Sequence, residues 1–189
     1  MLLAVACVGC RGSAGPVCPT CAAAVQPVGA VAVEGLDGAW ALLAYEGPGR
    51  DLVQALKFRN RRSAVGVLAA AMAGQVTERP GVVTWLPATP AHRRERGFDQ
   101  AELLARRVGR TLGVPARRLL VRRPDRPQTG LPRAERLRGP ALRPRRGVGG
   151  TVLVVDDVVT TGASLRAAAG ALREAGADRI LGLTLAARR

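Results

Sequence analysis

Four cysteines fall within the first 21 residues, as Cys7-Val-Gly-Cys10 and Cys18-Pro-Thr-Cys21, and none follows. A CxxC turn lets two thiolates reach one ion while nearby main-chain amides donate to the sulfurs, and two such knuckles close a tetrahedral Zn(Cys)4 site. A pair of disulfides, an iron–sulfur site and a redox CxxC are the competing uses, the last lacking a surrounding βαβ pattern. Zinc is the expected ligand of Cys7, Cys10, Cys18 and Cys21. With four protein ligands it keeps no open position, so its role is architectural or one of docking. A second concentration of chemistry is Val152-Leu-Val-Val-Asp-Asp-Val-Val-Thr-Thr-Gly-Ala-Ser164. Asp156 and Asp157 are hard oxygen acceptors suited to the vicinal hydroxyls of a sugar, or to Mg2+ through water. The amides of Thr160, Thr161, Gly162, Ala163 and Ser164 can point at a phosphate over a helix amino terminus, with hydroxyls adding donors and Gly162 permitting close approach. The plainer alternative is an exposed strand terminus followed by a helix cap, although stability alone does not call for two acids, two threonines and a glycine together.

Positioning these groups requires a sheet. Val152–Val155 is expected as a buried strand ending in the two acids, Val158–Gly162 as a turn, Ser164–Ala175 as a helix and Ile180–Leu185 as a further strand. Upstream, Ala39–Tyr45 reads as a strand followed by the turn Glu46–Gly49, and Asp51 as the cap of a helix over Leu52–Phe58. Ser63 reads as the cap of a second helix reaching about Val76, and Pro80-Gly81 breaks it. Val82–Leu86 is an expected strand running into Pro87-Ala-Thr-Pro90, Phe98–Leu112 an amphipathic helix closed by Gly113, and Leu119–Arg122 a possible strand. Arg123–Gly150 has prolines, glycines and arginines without period and reads as a mobile excursion. Pro27–Gly35 reads as a connection, which divides the chain into a metal-binding module, residues 1–35, and a main domain, residues 36–189. Strand, helix, strand with short turns is the grammar of a doubly wound parallel sheet, so the fold class is α/β.

At 189 residues and 48% hydrophobic, the chain suits one ordinary domain with a small appendage, and its 23% charged residues argue against wholesale disorder. Met1–Ala6 lacks a basic n-region and the later apolar runs fall short of the ~20 residues of a spanning helix, so a cytoplasmic location without membrane insertion is expected. Lys57 is the only lysine, and 29 basic against 14 acidic residues leave a net charge of +15. Residues 91–146 have 17 arginines and five acids and carry most of that excess. Such a surface suits phosphate, nucleotide or nucleic acid, or is simply solvated. Only Phe98 among aromatics falls there, so binding to single-stranded DNA would run through the backbone and be salt-sensitive. His92 is the sole histidine, which argues against a Ser/His/Asp or Cys/His relay.

The Asp156–Ser164 segment resembles the 5-phosphoribosyl-1-diphosphate (PRPP) motif of type I phosphoribosyltransferases. The resemblance implies that Asp156 and Asp157 bind ribose hydroxyls, that Thr160–Ser164 hold the 5-phosphate, and that Mg2+ accompanies the diphosphate. Thr160 stands where some purine-salvage members carry a further acid, which argues against purine salvage. The order of the two CxxC pairs, Leu56-Lys-Phe58, Arg93-Arg-Glu-Arg-Gly-Phe-Asp-Gln100, Arg126-Pro-Gln128 with Leu131 and Arg136, and the diphosphate motif resembles the ComF family of competence-associated proteins over nearly the whole chain. Asp99 replaces the Asn of that family's Arg-Gly-Phe-Asn-Gln box, and its proline-rich strand end is altered to Leu86-Pro87-Ala88. Membership implies a phosphoribosyltransferase-like sheet with an amino-terminal zinc ribbon, linked to DNA uptake.

Within that frame Pro87, Ala88, Thr89 and Arg96 would receive pyrophosphate, and the Arg123–Arg138 excursion would close over the site. Lys57 either reaches a phosphate or ends its helix in solvent. The functional expectation is PRPP binding, with transfer of phosphoribosyl to an unidentified acceptor. The alternative is a non-catalytic factor that binds single-stranded DNA or a helicase, its phosphate loop a sensor or relic.

Overall fold

The computed structural model describes residues 6–58, 62–122 and 140–188, without the side chains of residues 58, 62 and 96. The expected excursion over Arg123–Arg138, with Arg126, Gln128, Leu131 and Arg136, lies outside the described residues, as does the Arg96 guanidinium.

Five strands form the main sheet: β1 (Pro27–Ala30), β2 (Gly38–Ala44), β3 (Val82–Trp85), β6 (Thr151–Val159) and β7 (Arg179–Ala187). Their spatial order is β1-β2-β7-β6-β3, all parallel except β1, which runs antiparallel to β2. The central strands are covered on both faces, which is why they read as unbroken apolar runs. Leu153, Val155, Leu181 and Leu183 face a core shared with the helices α2 (Gly47–Phe58), α3 (Val65–Ala73) and α5 (Gln100–Leu112). Val152, Val154 and Ile180 face the other core, filled by Leu165, Ala168 and Leu172 of α6 (Ala163–Glu174). Two short helices, α1 (Pro19–Ala24) and α4 (Pro90–Arg96), and a two-stranded antiparallel ribbon of β4 (Leu120–Arg122) and β5 (Leu142–Pro144) complete the described fold. Among the described residues no helix is long and apolar enough to cross a membrane.

Several elements differ from the sequence expectation. Pro27–Ala30 is an edge strand rather than a connection, because Gln26–Ala30 finds main-chain partners along β2. Helix α2 begins at Gly47, with Pro48 supplying a preset φ in its first turn, so Asp51 is an interior residue and no cap. Ser63 lies in a 3-10 turn over Arg62–Ala64, and α3 starts without a side-chain cap. The stretch before α5 is itself helical: Thr89 caps α4, Gly97 ends it at φ 72°, and Asp99 caps α5. Leu142–Pro144, read as part of an irregular excursion, pairs with β4.

The most consequential difference is the length of β6. It does not stop at the acids but continues through them to Val159, held by β7 as far as Val159↔Ala187. On its other side β3 pairs only as far as Trp85↔Val155, and Leu86 N–H donates to Val155 O at 3.1 Å. Asp156 and Asp157 therefore lie just where one neighbour has ended and the other continues.

Candidate phosphoribosyl site and metal centre

The departure of β3 opens a cavity of ≈ 210 Å³, walled by Lys57, Pro87–Thr89, His92, Asp99–Ala101, Arg122, Asp156 and Asp157. A second, smaller cavity of ≈ 40 Å³ is formed by Val158–Leu165 and shares Asp156 with the first. The structure thus brings together the acid pair, the strand-end loop Pro87–Thr89 and the loop Thr160–Ser164, with Asp156 at their junction. Open α/β sheets bind ligands at such a place, outside the carboxyl ends of the strands.

Lys57, in the last turn of α2, forms an ion pair with Asp157 at 2.9 Å, both side chains largely buried. It neither ends its helix in solvent nor stands free for a phosphate. Asp156 Oδ1 accepts from the Asp157 amide at 2.8 Å. Burial first, then the adjacent Asp157 charge, push the Asp156 carboxyl well above its ordinary range; the Asp157 amide, Lys57 and Arg122 pull the other way without prevailing. Arg122 is anchored to the wall of the cavity, donating through Nε to Pro87 O at 2.6 Å.

In the smaller cavity Gly162 has φ 72°, and an added Cβ would lie 2.9 Å from Val33 Cγ1. Its freedom serves the backbone and the approach of the amino-terminal loop as well as any ligand. Thr161 Oγ1 accepts from Ala163 N at 3.4 Å, so one hydroxyl of the loop is used internally.

The Pro87–Thr89 loop is similarly committed. Ala88 N donates to Asp99 Oδ2 at 2.9 Å while Asp99 Oδ1 caps α5 through Glu102 N at 3.3 Å. Aspartate supplies two acceptor oxygens for these two amides where asparagine has one. Thr89 Oγ1 accepts from His92 N, capping α4. Asp99, Gln100 and Arg122 were not foreseen as site residues; the Asp-for-Asn change in the Gly97–Gln100 box was the one local signal.

The four cysteine sulfurs lie within 4.8 Å of one another, with Cys10 Sγ 3.6 Å from Cys18 Sγ. Tetrahedral zinc with Zn–S of about 2.3 Å spaces sulfurs at about 3.8 Å, so the cluster fits the ion. Cys7 Sγ accepts from Cys18 N at 3.3 Å, Cys10 Sγ from Gly12 N at 3.4 Å and Cys18 Sγ from Cys21 N at 3.4 Å. The Cys18 amide leads the groups that lower the Cys7 thiol to about 6, whereas the Cys18 side chain and burial push Cys21 up to about 12. Gly9 makes room within the first knuckle: a Cβ there would lie 2.8 Å from Cys21 Sγ, and one of the two would have to shift. None of the four cysteines is in a disulfide, and together they can hold a zinc ion.

Residues 97–189 match the family model of the phosphoribosyl transferase domain. No curated protein matches the chain. Among solved structures, the chain is similar to the glutamine phosphoribosylpyrophosphate (PRPP) amidotransferase from B. subtilis complexed with ADP and GMP, at 26% identity and a TM-score of 0.48, over 65% of this chain and 26% of that one. A structure of the allosteric regulatory enzyme of purine biosynthesis matches at 25% identity and a TM-score of 0.47, over 66% and 26%. The orotate phosphoribosyltransferase from Aeropyrum pernix matches at 20% identity and a TM-score of 0.39, over 87% and 88%. The chain spans about a quarter of the length of the first two of these structures. The sheet order, the cleft at its strand ends and the domain match together give an α/β fold of the type I phosphoribosyltransferase kind, with a four-cysteine cluster at its amino-terminal side.

Proposed function

We propose that the chain binds PRPP with Mg2+ and transfers its phosphoribosyl group to an acceptor. The observation that carries this reading is the placement of Asp156 at the junction of a phosphate-sized pocket and a larger cleft. Asp156 and Asp157 hold the ribose hydroxyls, and Thr160–Ser164 the 5-phosphate. Pro87–Thr89 and Arg96 take the diphosphate end, where Arg122 adds positive charge. Asp156 and Asp157 would hold the accompanying Mg2+ through water, and the ion would supply charge screening for the diphosphate leaving group. In the transfer the anomeric carbon–oxygen bond to diphosphate breaks, the bonding electrons leave with pyrophosphate, and the acceptor nucleophile forms the new bond as its proton is lost. Positioning and charge stabilisation supply the catalysis.

The finer reading is a ComF-like protein of the cytoplasm, acting in DNA uptake, with residues 1–35 a structural zinc module and residues 36–189 the phosphoribosyltransferase-like domain. The second reading, a non-catalytic single-stranded DNA or helicase-binding factor, is favoured by the exposed arginines of α4, Arg93 and Arg94, within the most basic stretch of the chain. Calorimetry with PRPP·Mg2+ on the wild type and on Asp156→Ala/Asp157→Ala separates the two. Micromolar binding lost in the double variant is expected, followed by release of pyrophosphate with the right acceptor. Absence of binding in the wild type leaves the second reading.

A further inference from the structure

Gln100 opens α5 and is 4% exposed. It lines the same ≈ 210 Å³ cleft as Asp156, Asp157, Lys57 and Arg122. Both its Nε2 and its Oε1 are buried without a hydrogen-bond partner, the only such side-chain atoms among the described residues. Of the polar residues that share the cleft, Asp99 is engaged with two amides, Thr89 with His92 N, Arg122 through Nε with Pro87 O, Lys57 with Asp157, and Asp156 Oδ1 with Asp157 N. Native interiors leave few polar groups unpaired, because each one forfeits its water without recompense. A leucine or methionine would fill the volume without that penalty, so a buried unpaired amide at a cleft wall asks for a partner from outside the fold.

We propose that Gln100 is the specificity-determining residue for the acceptor, and that the acceptor presents a hydrogen-bond donor and acceptor side by side, as the edge of a lactam or carboxamide does. The side-chain amide has two donors and one acceptor oxygen in one plane, and such an edge satisfies both kinds. An uncharged side-chain amide beside the paired Lys57 and Asp157 suits a neutral edge. A site of this construction discriminates strongly, because an analogue lacking the edge leaves buried polar atoms unpaired. The inference rests on the phosphoribosyl-transfer reading, which assigns the other parts of PRPP to Asp156, Asp157 and Thr160–Ser164.

The experiment uses the full chain and three probes of increasing specificity. Ribose 5-phosphate, which lacks the diphosphate, tests the sugar-phosphate site by calorimetry. With that ligand saturating, 2-pyridone and N-methyl-2-pyridone are titrated by ligand-observed NMR, the methyl group deleting the donor of the lactam edge. The wild type should bind 2-pyridone at least tenfold more tightly than the methylated analogue, and Gln100→Leu and Gln100→Met should lose that preference. Without ligand, the two variants should melt at least about 2–4 °C above the wild type, since each removes an unpaired amide from the interior. If ribose 5-phosphate binds and 2-pyridone shows no preference, the role of Gln100 is wrong and the phosphoribosyl reading stands. If ribose 5-phosphate fails to bind, both fall. A lower melting temperature in both variants overturns the proposal by showing that the amide has a structural partner.

Discussion

A carboxyl held above its ordinary range is a stability statement as well as a functional one. The Asp156 carboxyl keeps its proton in the folded chain at pH values where the unfolded chain has released it. The unfolded state then binds fewer protons, so stability falls as pH rises from the ordinary carboxylate range through the raised value. Asp156→Asn removes this dependence: its urea midpoint at neutral pH should exceed that of the wild type, and the difference should vanish in acid. A variant less stable than the wild type at neutral pH would show that the carboxylate is held charged by its neighbours. Binding of PRPP·Mg2+ draws on the ionised form, so affinity should rise with pH across the same window and be accompanied by proton release. Lys57→Met leaves Asp157 without its ion partner. With side chains 14% and 18% exposed, the loss should lie between the ~0–1 kcal/mol of an exposed pair and the ~3–5 kcal/mol of a fully buried one. Chemical denaturation reads that value directly.

The elements place these residues through their ends rather than their middles. The cleft exists because β3 stops while β6 continues, and because α5 is capped by a residue that also grips the loop after β3. Asp99→Ala removes the acceptors for both amides, and should cost about 1 kcal/mol for the cap and at most about 1–3 kcal/mol more for the half-buried Ala88 donor left unpaired. Asp99→Asn retains one acceptor and should fall between. Equal urea midpoints for wild type and Asp99→Ala would contradict this account of the loop. Gly162→Ala tests the other rim. The left-handed conformation costs a side chain about 1–2 kcal/mol, and Val33 must also move, so the variant should be destabilised by at least that amount in urea.

At the scale of the whole molecule the amino-terminal segment packs onto the main sheet and its helices. Val8, between the ligands of the first knuckle, is buried in the core cluster that includes Leu52 and Val53, and Pro27–Ala30 forms the edge of the sheet. Asp37 adds a link: Ile180 N donates to its carboxylate at 2.7 Å and Arg173 lies at 3.0 Å, the amide first among the groups that hold its pKa low. The contribution of Asp37 is present above the ordinary carboxylate range and is lost as pH falls through its lowered value. If the cysteines hold zinc as proposed, elemental analysis should find one ion per chain, and a chelator should lower the melting temperature of the entire fold. Gly9→Ala should reduce zinc content, because the added carbon meets Cys21 Sγ. A chain without metal, or one whose melting ignores the chelator, would remove the zinc from the account. Should single-stranded DNA bind the arginine-rich face, log affinity must fall steeply with log salt, and an affinity indifferent to salt would exclude backbone-driven contact.

What could be read from the chain alone was what is local in it. The CxxC knuckles, the acid pair, the run Thr160–Ser164 and the apolar strands each consist of consecutive residues, whose chemistry and period are apparent before any folding is known. The same holds for the α/β class, since strands buried on both faces announce themselves by composition. Tertiary structure decided what depends on where neighbours end. Pairing with β7 carried β6 past its acids, and pairing with β2 made a strand of Pro27–Ala30. Lys57, Asp99, Gln100 and Arg122 meet Asp156 and Asp157 only because α2, α5 and β4 pack around one gap in the sheet. Sequence carries the donors and acceptors of this site; which of them bond to each other, and which amide is left for a ligand, is set by contacts between segments far apart along the chain.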